Sequence, residues 1–193
     1  AKVSDKFNII RSVNHNFADH GGGHKRFLTG RIPATPTGTV NDAPCVGSIA
    51  TKKLENYQNS KGLCNYIVLG NSRVNSVDTF AFGSAYLGKE THPFNVSGDP
   101  NAENFKVQNL SLNAGLFEER LNNRVSLLGN LDTLRKDVET SVVMDSMDTF
   151  NQRAISMITS PEAHKAFDLS QESDALRDRF GRHEWGQRAI LAR

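Results

Sequence analysis

Residues 14–31 read NHNFADHGGGHKRFLTGR and gather three histidines, one aspartate and three consecutive glycines. Asp19 is a favoured residue at a helix N-cap, and Gly30 is a favoured residue just past a helix end. The stretch therefore predicts a helix over residues 20–29, with the glycines at 21–23 in its first turn. No other part of the 193-residue chain collects so many groups that can bind a metal, accept a proton or approach an anion.

The segments around this helix predict a parallel sheet. Residues 7–13, FNIIRSV, are short and rich in β-branched side chains, which indicates a buried strand. Residues 65–69, NYIVL, predict a second strand, parallel to the first because a helix separates them. That helix is predicted over about residues 44–57, with proline in its first turn. Its predicted inward face consists of Val46, Ile49, Ala50 and Leu54. Residues 1–70 thus form the strand–helix–strand part of a predicted α/β protein.

The remaining chain is predicted to be a long loop followed by helices. Residues 71–112 contain glycines and prolines without regular periodicity, which indicates an irregular loop. Residues 113–193 are predicted to be a helical part of the same domain, beginning with an amphipathic helix from about position 116. Its apolar face is Leu121, Val125, Leu128, Leu131, Leu134 and Val138. Further helices are predicted over about 144–158 and 161–167, from Ser173 to Gly181, and after position 187.

The composition and the absence of known motifs argue against several classes of protein. The net charge is +2, from 23 Lys and Arg against 21 Asp and Glu, which argues against a dedicated nucleic-acid binder. No apolar run approaches the roughly 18 residues that cross a bilayer. No Gly-x-Ser-x-Gly elbow, P-loop or complete dinucleotide fingerprint occurs, so no serine-triad hydrolase or nucleotide site is predicted. Cys45 and Cys64 allow one disulfide bond without requiring it.

The ends of the sequence predict a fragment. The chain opens AKVSDKF, without a methionine or an apolar signal segment, and closes with GQRAILAR inside a predicted helix. We therefore expect a single partial domain over residues 1–193.

The histidine-rich stretch predicts an oxyanion site, with or without a metal. His20 would lie in the first helical turn, where the positive end of the helix dipole favours a neutral, ligating imidazole. Gly21, Gly22 and Gly23 with the first-turn amides can approach a phosphate or sulfate closely, and Arg31 adds positive charge. In the alternative interpretation, Asp19 only caps the helix and the histidines are polar loop residues.

A second candidate lies near the end of the chain. Arg182 and His183 follow Gly181 and precede Trp185, so a local turn presents a guanidinium fork and a titratable ring. The alternative is a turn at the start of the last helix, with a solvated arginine and histidine.

Eight segments resemble, in this order, the bacterial family called domain of unknown function 1501, to which many planctomycete proteins belong. They read NHNFADHGGGHKRFLTGR, NDAPCVGS, FGSAYLG, HPFNVSGDPN, NLSLNAGL, ERLNNRVSLL, ITSPEAHKAFDLSQE and RDRFGRHEWGQ. The family is placed in the alkaline-phosphatase/sulfatase-like superfamily. This resemblance implies a partial alkaline-phosphatase-like sheet, with about two parallel strands retained beside a helix-rich C-terminal half. It also implies a metal-centred hydrolytic site and export to the periplasm or the extracellular space, with the signal segment absent from this chain.

The wider superfamily gives the opening stretch a further interpretation. Residues 27–31, FLTGR, are similar to the end of the sulfatase motif Cys/Ser-x-Pro-Ser-Arg followed by Leu-Thr-Gly. The sulfatase nucleophile then falls on His20, and Gly22, Gly23 and His24 replace Pro-Ser-Arg. A mechanism through a modified cysteine is therefore not expected. His20 could instead ligate a metal or act as a base or a nucleophile.

The resemblance leads to one expected function and one alternative. We expect part of a metal-dependent hydrolase of phosphate or sulfate esters, inactive as a fragment, with His15, Asp19 and His20 as ligands of a divalent metal. The expected catalytic residues are His20, His24, Arg182 and His183. The alternative is a non-catalytic binding protein on a hydrolase scaffold, for a sulfated polysaccharide or a cell-surface partner. The expected ligand is an anionic ester, small or polymeric, and neither nucleic acid nor a membrane span is expected.

Overall fold

The computed structural model describes residues 4–37, 41–54, 63–70, 73, 74, 77–108, 110, 123, 126 and 142–193. In these ranges the architecture is mixed and helix-rich. The α-helices are α1 (His20–Thr29), α2 (Val46–Lys53), α3 (Val142–Thr159), α4 (Pro161–Ala166), α5 (Asp174–Phe180) and α6 (Glu184–Leu191). The strands are β1 (Ile67–Leu69), β2 (Arg73–Val74), β3 (Val77–Asp78) and β4 (Phe94–Val96). Short 3-10 helices span Ser4–Lys6, Thr79–Phe82, Ala85–Leu87, Lys89–Thr91 and Leu169–Gln171.

A two-stranded parallel sheet pairs β1 with β4, and Val68 lies opposite Asn95. β2 and β3 form a separate antiparallel pair. The prediction that residues 7–13 supply the parallel partner of β1 is wrong, because that segment is not a strand and its side chains are exposed. The prediction of an irregular loop over 71–112 is wrong at β4. The connection from β1 to β4 is long enough for the crossover that parallel strands require.

The apolar core lies beside this sheet. Its buried members are Val96, Val107, Leu110, Met157, Ala163 and Phe167. Partly buried residues of β1 and β4, among them Ile67 and Phe94, pack against it. The rings of Phe94 and Phe167 lie 6.0 Å apart between centroids. Helices α3 and α4 thus cover the sheet from the C-terminal part of the chain.

Local helix signals predict most helices correctly. α1 begins after its Asp19 cap, and α4 and α5 begin after Ser160 and Ser173, whose side chains each accept a backbone N–H of the first turn. α3 also lies where a helix is predicted, whereas α6 begins at Glu184, before the predicted start after position 187. The amphipathic helix predicted from about position 116 falls outside the described residues, apart from positions 123 and 126. Among the described helices, none is both long and apolar enough to cross a bilayer.

Helix α2 is shorter than predicted, and its buried side is the opposite of the predicted one. Ser48 and Thr51 are buried, whereas the apolar face is exposed. The exposed side chains are Val46, Ile49, Ala50 and Leu54. The reason is close packing. Gly47 lies against the Tyr66 ring, where a Cβ would come within 2.8 Å of Cδ2, and α2 contacts two short 3-10 helices. Only small side chains fit on that side.

Candidate functional site

The start of α1 has the geometry of a capped helix. Asp19 is extended, with φ −105° and ψ 156°, and its Oδ1 accepts the Gly22 N–H at 2.7 Å. The helix ends at Gly30, whose φ of 68° is left-handed, and Arg26 Nη1 donates to the Gly30 carbonyl at 2.5 Å. The predicted helix and its cap are therefore confirmed, and one oxygen of Asp19 is used for capping.

Parts of the chain pack so closely on Gly21, Gly22 and Gly23 that no larger side chain fits at these positions. A Cβ at Gly21 would lie 2.9 Å from the Pro36 carbonyl oxygen. A Cβ at Gly22 would lie 2.7 Å from the Phe17 ring. A Cβ at Gly23 would collide with the ring of His15. The side-chain spaces of Gly22 and Gly23 are thus filled by residues 15 and 17, and the predicted anion-binding role of the glycines stays a prediction.

His15 packs over the helix start. Its Nδ1 accepts the Phe17 N–H at 3.1 Å, and the two rings lie 5.9 Å apart between centroids. A neutral imidazole has only one nitrogen with an acceptor lone pair. Because Nδ1 already accepts a proton donor, Nε2 carries the hydrogen and has no lone pair for a metal. The contacts of the His15 ring are with Phe17 and Gly23, and its role as a metal ligand stays a prediction.

Asp19 and His20 are the two groups at this helix start that remain open to a ligand. The hydrogen bonds among the described residues use only Oδ1 of Asp19, so its Oδ2 is available. The His20 ring is exposed. Over the described parts of the chain, no group of three or more His, Cys, Asp or Glu is arranged to hold a metal ion. These two residues thus form at most part of a metal-ligand set.

His24 lies one helical turn after His20 in a different environment. Its ring is half-buried and meets the Phe82 ring edge-on, with centroids 5.3 Å apart and an angle of 85°. Burial lowers the pKa of His24 below its ordinary value. The imidazole is therefore neutral near pH 7 and can accept a proton.

The basic residues of this region differ in exposure. Lys25 is buried, and its Nζ donates to the Thr35 carbonyl at 2.8 Å, so it holds the loop after α1 against the helix. Arg31, the predicted anion-binding arginine, is exposed. An exposed guanidinium can meet an anion, but water screens its charge.

Arg182 and His183 have local roles in the turn between α5 and α6. Arg182 donates to Asp178 and Asp174, each at 2.6 Å, and these hydrogen bonds raise the pKa of Arg182 and lower that of Asp174. His183 Nδ1 accepts the Gly186 N–H at 3.2 Å and caps α6. All these partners lie within residues 174–186, so the contacts described here do not join the pair to α1.

A Ser–His pair that the sequence did not predict lies in the loop that follows Phe82, whose ring contacts His24. Ser84 Oγ and His92 Nδ1 are 2.8 Å apart, and Ser84 is buried two residues after Phe82. Partial burial of the ring, with the nearby Lys89 charge, lowers the pKa of His92. The hydroxyl is shielded from solvent, so the pair secures the loop that contacts His24. Ser84 and His92 lie in two of the segments that carry the family resemblance, FGSAYLG and HPFNVSGDPN, but neither segment contains a catalytic motif that would predict the pair.

Comparison with known proteins gives a match to a protein family. The family model described as "Protein of unknown function (DUF1501)" matches residues 1–193. No curated protein and no solved structure matches the chain. The match agrees with the resemblance drawn from the eight sequence segments.

Proposed function

The chain belongs to the DUF1501 family over residues 1–193, and from this premise we propose a metal-dependent hydrolase of phosphate or sulfate esters. The proposal includes the alkaline-phosphatase/sulfatase-like scaffold and the exported location that the resemblance implies. Its substrate is an anionic ester, either a small molecule or a polysaccharide.

One observation carries the proposal: Asp19, whose Oδ2 accepts no hydrogen bond among the described residues, and the exposed His20 are consecutive residues at a helix start. A carboxylate oxygen and an imidazole nitrogen are both ordinary ligands of divalent metals. These two residues would hold the cation together with ligands outside the described residues. When bound, the cation would act as a Lewis acid on the ester oxygens.

The negative charge of Asp19 favours a bound cation at the start of α1 over direct binding of an anion by the helix N-terminus. The Asp19 carboxylate already occupies the helix N-terminus through Gly22 and would repel an ester oxyanion at short range. A metal ion beside Asp19 removes that repulsion, and the helix dipole then favours the ester. His24 has a lowered pKa and is neutral near pH 7, so we propose it as the proton acceptor. Arg182 and His183 are left out of this proposal because the α5–α6 turn already accounts for their contacts.

Hydrolysis of aryl phosphates and aryl sulfates by the purified full-length protein, with Zn²⁺, Mn²⁺ or Mg²⁺ added, tests the proposal. His20→Ala should lower kcat/KM at least about a hundredfold if the ring is a metal ligand. His164→Ala is the matched control, because it removes an exposed imidazole on α4 whose hydrogen-bond partner among the described residues is the Ile158 carbonyl. Equal activity in the two variants, or no metal binding by the parent protein, would refute the proposal.

A non-catalytic binding protein on the same scaffold is the second candidate. Two observations favour it: histidine stands where the sulfatase nucleophile is expected, and the described residues contain no three-membered metal group. Exposed Arg31 would then contact a sulfated polysaccharide. Binding of sulfated glycans without turnover and without metal would support this candidate over the hydrolase.

A further inference from the structure

Residues 15–17 cross the first turn of α1 and contact two of its glycines. The His15 ring occupies the side-chain space over Gly23, and its Cε1 lies 2.6 Å from the position of an ideal Cβ there. The Phe17 ring occupies the corresponding side-chain space over Gly22, and its Cγ lies 2.7 Å from the position of an ideal Cβ there. The three-glycine run thus makes a notch that the 15–17 segment fills.

We infer that His15 is a positioning residue that locks the start of α1 and is not a metal ligand, an inference that rests on the proposed function for the role of Asp19 and His20. His15 Nδ1 accepts the Phe17 N–H at 3.1 Å. That bond orients the segment so that the Phe17 ring packs on Gly22. Gly22 in turn donates its N–H to Asp19 Oδ1 at 2.7 Å.

These contacts connect His15 to the carboxylate of Asp19 through three short steps. Holding the Gly22 amide in place also holds Oδ1, and Oδ1 sets the direction of the other carboxylate oxygen, Oδ2. A ligand whose orientation is secured in this way loses less entropy when a cation binds. His15 therefore acts on the site through Phe17 and Gly22, even though its own nitrogen lone pair is already used.

The first test separates positioning from ligation with Co²⁺ as the probe. Asparagine at position 15 supplies an acceptor oxygen near the place of Nδ1 but is a poor substitute for an imidazole ligand. We expect His15→Ala to weaken Co²⁺ binding about tenfold and His15→Asn to restore the affinity to within about threefold of the parent protein, as for groups that support a ligand. The Co²⁺ absorption spectrum of His15→Asn should equal that of the parent. Loss of binding in His15→Asn equal to that in His20→Ala, with a changed spectrum, would make His15 a ligand and overturn the inference.

The second test needs no metal. Gly23→Ala should lower the midpoint of thermal unfolding in the parent protein, because the new methyl group meets the His15 ring. In the His15→Ala background the same substitution should raise the midpoint, since the space is empty and alanine is the better helix former. Equal effects of Gly23→Ala in both backgrounds would show that His15 does not lie over Gly23, which also overturns the inference. The parent protein could bind no Co²⁺ while Gly23→Ala still lowers the unfolding midpoint in the parent and raises it in His15→Ala. In that case His15 positions the helix start, and only the proposed hydrolase function fails.

Discussion

His20 and His24 lie one turn apart on α1, yet their surroundings make them different chemical groups. The His20 ring is exposed and directly follows Asp19 in the chain. The His24 ring is half-buried against Phe82, and burial lowers its pKa. Both residues are histidines, so only their environments distinguish His20, the proposed metal ligand, from His24, the proposed proton acceptor.

The lowered pKa of His24 predicts a pH dependence of stability. The ordinary value is 6.5, and the folded value lies below it, so the unfolded chain binds more protons as the pH falls through 6.5. The contribution of neutral His24 to folding stability is complete above pH 6.5. It is lost as the pH falls from 6.5 through the pKa of His24 in the folded protein. His24→Phe keeps a ring against Phe82 and removes the titration. Urea unfolding between pH 7.5 and 5.5 should therefore show a smaller loss of stability in His24→Phe than in the parent.

The contribution of His92 does not disturb this comparison. Its pKa is also lowered, but it is present in both proteins and cancels in the difference. An unchanged slope of stability against pH in His24→Phe would contradict the prediction.

At the scale of the elements, the turn between α5 and α6 is built around one buried amide. Gln187 is fully buried, and its Nε2 donates to the carbonyls of Arg177 and Gly181 at 3.3 and 2.8 Å. Its Oε1 accepts Arg177 Nε at 2.7 Å. Gly186 approaches Phe180 so closely that a Cβ would lie 2.9 Å from its carbonyl carbon. The turn that presents Arg182 and His183 is thus rigid for reasons internal to the helix pair.

Replacing the Gln187 amide should lower the free energy of unfolding. Gln187→Leu keeps the approximate volume but removes the donor to the Gly181 carbonyl and the acceptor of the Arg177 Nε–H, whereas the Arg177 carbonyl keeps the Gly181 N–H. We therefore expect a loss of about 2–3 kcal/mol. The measurement is urea unfolding followed by circular dichroism. Arg182→Ala is the control, since its ion pairs are exposed and surface pairs contribute little. Similar urea midpoints for the two variants would contradict the role assigned to Gln187.

At the scale of the whole molecule, the parallel pair β1–β4 meets the helices through a small aromatic and aliphatic core. Ala163 and Met157 are buried there together with Phe167, which packs on Phe94. The residues come from widely separated parts of the chain, so the core joins the sheet to α3 and α4. Parallel strands are stable when such packing covers them.

Truncation of the central ring tests that core. Phe167→Ala should lower the free energy of unfolding by about 3–5 kcal/mol, because it removes buried contacts and leaves a cavity. Phe27→Ala is the matched control: the Phe27 side chain is exposed, and we expect a change within about 0.5 kcal/mol. Chemical denaturation measures both. A loss at Phe167 no larger than that at Phe27 would contradict this description of the core.

Predictions from the sequence succeed for the helices with clear caps and fail for the pairing of the strands and the buried face of α2. The bounds of α1 and the caps of α4 and α5 are predicted within about a residue, because caps and helical periodicity act over four residues or fewer. The partner of β1 is predicted wrongly, since residues 7–13 have a strand-like composition but β4 takes that place. For the candidate site, the sequence locates the histidine cluster but does not separate the role of His15 from that of His20.

The sequence by itself determined the bounds of α1, the caps of α1, α4 and α5, the glycine run at 21–23 and the membership in the DUF1501 family. Only the tertiary structure decided which strand pairs with β1, which side of α2 is buried and which ring fills the space over Gly23. The first set depends on interactions between near neighbours along the backbone. The second set depends on which distant surfaces pack most closely, and no short stretch of sequence encodes that choice.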